Sequence, residues 1–496
     1  MVAIRDIAVI GAGPSGLSAA KYLLAEKVFK VQLFEQKSTV GGVWAYNTLT
    51  IADDDFSVPR TKPSEKADNP IFTGSETEAP QFVSPVYDSL ETNIPHTLMN
   101  FSDQPFPTGT SLFPGHMVVK RYLDTYAEEL QHLIKFSSQI LSAVNSSGQN
   151  GGWELEVLDL KTKEVTRTHF DAIVVASGHY NDPFIPDIPG LKQFNEAHPT
   201  SVSHSKFYKS PTSFANKKVI VVGNSASGLD ISDQISKVTG LPVIVSERST
   251  VTTPTNAAIT YKPEITEFVP HGRKVRFADG DVEEDVDHVV FCTGYFYSFP
   301  FLKALSPPVI TDGSAANNLY QHMLYAPDPT LCFLGIPQRV VPFPFVEAQV
   351  GYLARVWAGR IPLPTDAELE EWQSEMTKAG QEDQGNIHSL KFPKDLNYIN
   401  MLHSKSMTAE KREGLANGGM GKLPPYWDEE KAWTRERFPL IKAAARKLGD
   451  ARHAIVDLRQ LGFDFGAEKP LQDSQGKLEE GLSRVQMSVA PSIAIA

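Results

Sequence analysis

The sequence predicts an α/β fold in which two similar βαβ units follow one another along the chain. The first unit has an apolar strand-like run, the glycine-rich turn GAGPSG at 11–16, a helical pattern of apolar residues, and a second strand that ends at Glu35. The second unit repeats this order around GNSASG at 223–228 and ends at Glu247. In both units, 24 positions separate the first glycine from the acid. This internal repeat predicts two Rossmann-like dinucleotide-binding domains.

The order of these patterns indicates that the second domain is inserted in the first. We expect the first domain to comprise residues 1–180 and 330–467, and the second domain, with its linkers, to comprise residues 181–329. Residues 46–86 are rich in Pro, Asp, Ser and Thr and show no periodicity, so we interpret them as a surface excursion of the first domain. The polar residues 468–496 are expected to form a disordered tail.

Composition and charge exclude several classes of function. The net charge of −12 argues against a nucleic acid or an anionic membrane as partner. No run approaches the roughly 18 apolar residues that a membrane span needs, and the first loop begins too early to leave room for a signal peptide. The two cysteines, Cys292 and Cys332, are too few for a disulfide framework or a cysteine metal site, so we predict a cytoplasmic protein without a metal. The oligomeric state stays open, and a homodimer is one possibility.

The first loop has the composition of a site for a dinucleotide pyrophosphate. Gly11 permits the tight turn, Gly13 lets the backbone approach the phosphates, and Gly16 lets the helix pack on the strand. The start of the helix offers free N–H groups and the positive end of its dipole. Glu35 is placed to accept hydrogen bonds from an adenosine ribose without a 2′-phosphate, which favours FAD or NAD. The expected contacts on this loop are Gly11, Gly13, Pro14, Ser15 and Gly16.

The second loop departs from this pattern at one position, where Ser225 replaces the middle glycine. Its side chain would keep a pyrophosphate farther from the backbone, although its hydroxyl could also donate to a phosphate. Glu247 corresponds to Glu35 and suits NAD, whereas Arg248 could pair with a 2′-phosphate and suits NADP. Alternatively, Arg248 is a solvated surface charge. The expected contacts on the second loop are Gly223, Ser225, Ser227 and Gly228.

A third feature is the segment PVYDSLETNIPHTLMNFSD at 85–103. Pro95 disfavours the α conformation at Ile94, so residues 92–95 are predicted to form a loop or turn. Turn statistics alone predict that the Asn93 side chain closes a local Asx turn.

Several motifs together resemble the flavin-dependent monooxygenases of the class B, flavin-containing monooxygenase (FMO) type. They are the two loops, the turn GGVW at 41–44, YDSLETNIPHTLM, ASGHYNDPFIPDIPG and FCTGYFYSFPFL. The resemblance extends over roughly residues 5–465. It implies FAD at the first loop, NADPH at the second loop, and O2 as co-substrate.

The resemblance also implies roles for individual residues. The turn residues Gly42, Val43 and Trp44 are expected to contact the flavin. Thr92 and Asn93 are expected at the flavin and the nicotinamide, with Asn93 as the catalytic residue that forms a hydrogen bond near the reactive flavin carbon. Gln349 is a further expected neighbour of the flavin.

A linker motif of the family, F-x-G-x-x-x-H-x-x-x-F/Y, is partly matched by HPTSVSHSKFY at 198–208. His204 and Tyr208 match and are expected to bind cofactor, whereas His198 and Thr200 replace the Phe and the Gly. Tyr208 favours oxidation of heteroatoms, because Baeyer–Villiger members of the family have Trp at this position. Alternatively, His204 is only a structural residue of a hinge.

The activity implied is NADPH-dependent and O2-dependent insertion of one oxygen into a soft nitrogen or sulfur nucleophile, through a C4a-hydroperoxyflavin. One alternative is a Baeyer–Villiger monooxygenase that oxidises a ketone, and another is a non-catalytic nucleotide-binding redox sensor. A disulfide reductase is disfavoured because the GGVW turn has no cysteine and Cys292 and Cys332 do not form a C-x-x-C motif. The expected partners are a small nucleophilic substrate and O2.

Overall fold

The structure is a computed structural model that describes residues 4–50, 56–72, 79–146, 151–248, 256–382 and 386–468. Its helices are α1 Pro14–Ala25, α2 His96–Met99, α3 His116–Tyr126, α4 Leu191–Ala197, α5 Ala226–Ser236, α6 Pro342–Trp357, α7 Asp366–Glu382, α8 Lys394–Met407, α9 Ala416–Gly419, α10 Glu429–Lys447 and α11 Phe465–Glu468. The predicted disorder of the tail concerns residues that, beyond Glu468, lie outside the described ranges.

The strands of the first half of the chain are β1 Asp6–Ile10, β2 Lys30–Phe34, β3 Ile134–Lys135, β4 Ser138–Asn145, β5 Trp153–Asp159, β6 Val165–Phe170, β7 Ala172–Val175, β8 Asp182–Pro183, β9 Val202–His204, β10 Val219–Val222 and β11 Val243–Ser246. Those that follow are β12 Ile259–Lys262, β13 Ile265–Val269, β14 Lys274–Phe277, β15 Val282–Glu283, β16 His288–Phe291, β17 Tyr295–Phe296, β18 Leu319–Tyr320, β19 Leu324–Tyr325 and β20 Leu331–Phe333.

The first sheet has the strand order β18-β19-β20-β7-β1-β2-β3, with β1 parallel to both β2 and β7. Along β1, Ile7 and Val9 belong to the core that contains α1 and α6, whereas Ala8 and Ile10 belong to the core on the opposite face. The antiparallel strands β4, β5 and β6 cover that opposite face. A sheet buried on both faces explains the continuous apolar runs in the sequence.

The second sheet has the order β12-β11-β10-β16-β9, and all its pairs are parallel. It has the same layered construction as the first sheet. Val219 and Val221 pack with helix α5, and Ile220 packs with the antiparallel strands β13 and β14. The predicted second nucleotide-binding unit is therefore a complete domain with its own core.

The second domain is inserted in the first, as the sequence predicted. After β7 the chain forms the second sheet, and it returns to the first sheet at β20, where Cys332 lies opposite Val174. The two linkers run side by side, because β8 pairs with β17 in the antiparallel sense, with Asp182 opposite Phe296.

The described part of the excursion 46–86 lies across one of these linkers. The backbone of Arg60 exchanges two hydrogen bonds of 2.9 Å with that of Ile185. The Arg60 guanidinium also pairs with Asp182 at 2.6 Å. The excursion therefore contacts the junction between the domains.

Helix α6 is buried along its length and contacts both α1 and α8. Helix α10 contains Pro439 and is anchored to α8 by an ion pair of 2.6 Å between Arg435 and Asp395. Within the described residues, no helix is long and apolar enough to cross a membrane. The same residues contain no group of His, Cys, Asp and Glu side chains that could hold a metal ion.

Candidate functional site

The first loop connects β1 to α1 in a conformation that only glycine fits at two positions. Gly11 has a φ of +106°, and a methyl group there would lie 2.6 Å from the carbonyl oxygen of Ala176 on the neighbouring strand end. A methyl group on Gly16 would collide with the carbonyl oxygen of Gly11. The tight turn and the close helix packing predicted for these glycines are both present.

The GGVW turn lies directly against this loop. The backbone N–H of Gly41 donates to the carbonyl of Ala12 at 2.9 Å. Gly42 approaches Gly13 so closely that a methyl group on Gly42 would lie 3.1 Å from the Cα of Gly13. Two motifs that are 30 positions apart in the sequence therefore form one narrow cradle of backbone.

Glu35 is buried at the carboxyl end of β2, next to the first loop. One carboxylate oxygen accepts from the N–H of Ala12 at 2.8 Å, and the other accepts from the N–H of Lys37 at 2.9 Å. Burial raises the pKa of Glu35, against the opposing effects of Lys37 and the backbone donors. The acid therefore joins the end of β2 to the first loop through its bond from Ala12.

The second loop reproduces the geometry of the first. Gly223 has a φ of +103°, and a methyl group there would lie 2.7 Å from the carbonyl oxygen of Cys292. A methyl group on Gly228 would collide with the carbonyl oxygen of Gly223. Ser225 has φ −89° and ψ −170°, close to the φ −77° and ψ −175° of Gly13. Serine therefore occupies the middle position without backbone strain.

The acid of the second unit has a different partner from Glu35. Glu247 is buried and accepts from the side-chain N–H of Asn224 at 2.8 Å. The Oδ1 of Asn224 is buried and has no hydrogen-bond partner in the part of the chain that the structure describes. Arg248 follows at the strand end and is exposed, and Ser227 is exposed on the first turn of α5.

The turn at 92–95 is closed by Thr92, so the Asx turn that turn statistics predict at Asn93 is wrong. Thr92 donates through its hydroxyl to the carbonyl of Ile94 at 2.9 Å, and its N–H donates to the carbonyl of Pro114 at 3.0 Å. The half-buried side chain of Asn93 has no hydrogen-bond partner among the described residues. Threonine takes the local bond and leaves the asparagine amide available.

Polar contacts connect residues 84–88, which precede Asn93 in the chain, to residues 43–46. The hydroxyl of Ser84 donates to the carbonyl of Val43 at 2.7 Å, and the hydroxyl of Tyr46 is bonded to Asp88. Lys209 of the second linker donates to the carbonyl of Ser84 at 2.5 Å. These two segments therefore belong to one bonded structure.

Two family models match this chain. Residues 75–253 and 253–411 match the model described as flavin-binding monooxygenase-like, and residues 9–61 match the NAD(P)-binding Rossmann-like domain. The chain belongs to the flavin-binding monooxygenase-like family. The predicted family, the pair of Rossmann-like domains and the cofactors FAD and NADPH are thereby confirmed, and the protein is a flavin-dependent monooxygenase.

Individual relatives support the assignment over most of the chain. The flavin-containing monooxygenase FMO GS-OX-like 4 of Arabidopsis thaliana is 34% identical over 388 residues, covering 74% of this chain and 78% of the relative. The thiol-specific monooxygenase of Saccharomyces cerevisiae is 32% identical over 379 residues, covering 73% and 79%. The solved structure of S-allyl-L-cysteine S-oxygenase from Allium sativum has a TM-score of 0.73 and 26% identity, covering 92% of this chain and 96% of that one.

The loops of this flavin-binding monooxygenase-like chain fit the two cofactors. The N–H groups of Gly13, Ser15 and Gly16 have no acceptor in the described ranges, which leaves them available to the FAD pyrophosphate. At the second loop, the unpartnered Oδ1 of Asn224 can accept a hydrogen bond from NADPH.

Gln349 lies behind the FAD loop. Its Oε1 accepts from the N–H of Gly335 at 3.0 Å, and its Nε2 donates to the hydroxyl of Tyr398 at 3.2 Å. A methyl group on Gly335 would lie 3.4 Å from the hydroxyl oxygen of Ser15 on the loop. Gln349 therefore supports a neighbour of the FAD loop through Gly335.

His204 and Tyr208 form their hydrogen bonds with protein groups. The Nε2 of His204 donates to the carbonyl of Gly294 at 3.0 Å, and its Nδ1 accepts from the N–H of Lys206 at 3.1 Å. Burial lowers the pKa of His204 to about 3, so its ring is neutral. The hydroxyl of Tyr208 donates to Gln234 on α5 at 2.9 Å. These contacts favour the alternative interpretation of His204 as a structural residue between the linkers.

The cysteines give no sign of thiol redox chemistry. Both are buried and free, and burial raises the pKa of Cys292 to about 12. Cys332 lies on the other sheet, on β20. The arrangement agrees with the sequence argument against a disulfide reductase.

Sequence reasoning missed two buried polar residues. Lys442 of α10 donates to the carbonyl of Thr92 at 2.8 Å, although the two residues are 350 positions apart. His179, just after β7, has two buried ring nitrogens without a hydrogen-bond partner in the described ranges. The motif ASGHY marks His179, whereas no local pattern marks Lys442.

Proposed function

We propose that this monooxygenase inserts one oxygen atom of O2 into a nitrogen or sulfur atom of a small nucleophilic substrate, with NADPH as electron donor. The observation that carries the proposal is the half-buried amide of Asn93, which has no hydrogen-bond partner among the described residues. Asn93 follows Ser84, whose hydroxyl donates to the carbonyl of Val43 in the GGVW turn beside the FAD loop. Such an amide can donate a hydrogen bond to a bound cofactor without first breaking a bond to the protein.

Bound FAD supplies the redox chemistry between NADPH and O2. In this proposal the protein contributes binding, orientation and exclusion of water. The loop at 11–16 and the GGVW turn hold FAD from two sides, and the loop at 223–228 holds NADPH. Asn93 donates through its Nδ2 toward the reacting region and limits the loss of oxygen as peroxide.

Sulfur is the first substrate class to test. The relatives named above include a thiol-specific monooxygenase and an S-oxygenase of S-allyl-L-cysteine. A soft sulfur atom is also the more reactive nucleophile toward an electrophilic oxygen. We therefore propose thioethers and thiols ahead of amines, with ketones as the Baeyer–Villiger alternative.

The test measures NADPH consumption, oxygenated product and H2O2 with a thioether, a tertiary amine and a cyclic ketone. The proposal expects the thioether or the amine to yield product in proportion to NADPH. Product from the ketone alone would establish the Baeyer–Villiger alternative. Absence of NADPH consumption with all three would favour the redox sensor.

Asn93→Leu tests the role of the amide. We expect the variant to retain FAD, to form less product and to release more H2O2 for each NADPH consumed. Asn100→Leu is the matched control, because Asn100 is also half-buried on the same segment and bonds only locally, to the carbonyl of Phe101. Unchanged turnover and product yield in Asn93→Leu would contradict the proposed role.

A further inference from the structure

We propose that Lys442 is a positioning residue that sets the orientation of Asn93 for oxygen transfer. The inference rests on the proposed function, because it assigns Lys442 an effect through Asn93. The Lys442 ammonium donates to the carbonyl oxygen of Thr92 at 2.8 Å and lies 3.3 Å from a carboxylate oxygen of Glu91. It thereby joins the C-terminal helix α10 to the residues directly before Asn93.

The carbonyl of Thr92 and the N–H of Asn93 belong to one planar peptide unit. A bond that fixes the direction of the Thr92 carbonyl therefore also fixes the orientation of the peptide plane that ends at the Cα of Asn93. Thr92 makes two other hydrogen bonds. Its N–H donates to the carbonyl of Pro114, and its hydroxyl donates to the carbonyl of Ile94. Among the described residues, Lys442 supplies the bond to the remaining polar group of Thr92.

The surroundings of Lys442 show that its ammonium is held in place. The side chain is 8% exposed, and its Nζ lies 4.3 Å from the centre of the Phe113 ring. Burial lowers the pKa of Lys442 to about 8, while the carboxylate of Glu91 opposes this effect and Arg446 reinforces it. The ammonium is therefore mostly protonated at pH 7 and makes a charge-assisted bond to Thr92.

Glu91 is in turn fixed by a second cation. Arg452 pairs with its carboxylate at 2.8 Å, and His453 lies 3.3 Å away. Burial opposes ionisation of Glu91, but the bond from Arg452 and the charge of Lys442 lower its pKa overall. The carboxylate therefore stays charged at neutral pH and holds the Lys442 ammonium beside Thr92.

Helix α10 has anchors that do not depend on Lys442. Ile441 and Ala445 are buried against Leu112 and Phe113, and Arg435 is paired with a buried aspartate of α8. Substitution of Lys442 by the similarly long, uncharged Met should therefore leave the helix in place. The change removes the donor to Thr92 and keeps most of the side-chain volume.

The experiment compares Lys442→Met, Asn93→Leu and the double variant at pH 7, using the ratio of oxygenated product to H2O2. We expect Lys442→Met to lower this ratio by about 10- to 100-fold, the equilibrium factor for loss of one hydrogen bond from a charged donor. The KM for NADPH should stay unchanged, because the NADPH loop is not altered. The double variant should have the ratio of Asn93→Leu alone, because Lys442 acts through Asn93.

Each outcome of the double-variant comparison is decisive. A wild-type ratio in Lys442→Met, with a low ratio in Asn93→Leu, overturns the role of Lys442 and leaves the proposed function standing. A wild-type ratio in Asn93→Leu overturns the role of Asn93 itself, and the inference with it. Multiplied losses in the double variant would show that Lys442 does not act through Asn93.

Further variants separate positioning from folding. Lys447→Met, at an exposed lysine of the same helix, should leave the ratio unchanged. Lys442→Arg keeps a donor and should restore the ratio to within about threefold of the wild type. Lys442→Met could instead bind less FAD or have a lower melting temperature while its active fraction keeps the wild-type ratio. That result would contradict a positioning role.

Discussion

The loops at 11–16 and 223–228 share a backbone frame but differ in what surrounds it. Their first glycines have φ angles of +106° and +103°. A methyl group on either one would collide with a carbonyl oxygen at the end of the neighbouring strand. Their third glycines both pack on the carbonyl of the first. The middle positions, Gly13 and Ser225, have nearly the same φ and ψ angles but different side chains.

Glycine is required in such a loop for two different reasons, depending on its position. The first and third positions need glycine because a side chain would collide with the protein's own backbone. The middle position has an extended backbone that any residue adopts, so its requirement comes from what lies nearby. At Gly13 the neighbour is Gly42 of the GGVW turn, and the FAD pyrophosphate is expected to approach the same backbone. The FAD loop is therefore the more tightly constrained of the two.

The largest effects are expected for Gly16→Ala and Gly228→Ala, which place a methyl group against the turn carbonyl in each loop. Overpacking of this kind costs about 3 kcal/mol at the upper end, which corresponds to about 100-fold in affinity. Gly16→Ala should lose FAD, whereas Gly228→Ala should retain FAD and bind NADPH about 100-fold more weakly. Flavin absorbance per protein and the NADPH dependence of flavin reduction measure the two effects.

Gly115→Ala serves as the control for both variants, because its φ of −70° is ordinary and a methyl group there meets only an oxygen at 3.8 Å. It should leave both affinities within about twofold. Loss of FAD from Gly228→Ala would contradict the assignment of one cofactor to each loop.

Gly13→Ala should have the next largest effect. The methyl group would lie 3.4 Å from the Cα of Gly42, an ordinary contact, so the apoprotein should keep its melting temperature. The FAD pyrophosphate would lose its close approach to the backbone, at a cost of about 2 kcal/mol or about 30-fold in Kd. Titration of apoprotein with FAD, followed by flavin fluorescence, measures this loss. A wild-type Kd would remove the distinction between the middle positions of the two loops.

The sequence was sufficient to predict features that depend on local pattern. The spacing from Gly11 to Glu35, and from Gly223 to Glu247, follows from the fixed geometry of a βαβ unit. The insertion of one domain in the other follows from the order of the strands. Both features can be read from the sequence because short-range sterics and hydrophobic periodicity determine them.

Features that depend on distant contacts could not be predicted. The bond from Lys442 to Thr92 joins residues 350 positions apart, and neither residue type indicates the other. The Asx turn predicted at Asn93 was wrong, because turn statistics do not reveal that the neighbouring Thr92 hydroxyl donates to Ile94. Thr92 is also held by the carbonyl of Pro114 and by Lys442 of α10, and both of these residues lie far from the turn in the sequence.

Arg248→Ala tests which residue of the second loop distinguishes NADPH from NADH. Arg248 is exposed, so we expect the lower end of the range for a charge-assisted bond, a loss of about 10-fold in NADPH affinity. NADH affinity should change by less than about twofold, because NADH has no 2′-phosphate. Flavin reduction rates measured against the concentration of each nucleotide give both values. Equal losses for NADPH and NADH would show that Arg248 does not contact the 2′-phosphate.

Ser225→Gly should have the smallest effect, because two changes oppose each other. Removal of the side chain allows the NADPH pyrophosphate to approach the backbone more closely, but it also removes a hydroxyl that caps no backbone group of the helix and is free to donate. Each change is worth about 1 kcal/mol, so the net change in NADPH affinity should be less than about threefold. Stopped-flow binding and release of NADPH would measure it. A tenfold gain in affinity with slower release would instead show that serine keeps the nucleotide loosely bound, so that it can shift or exchange during turnover.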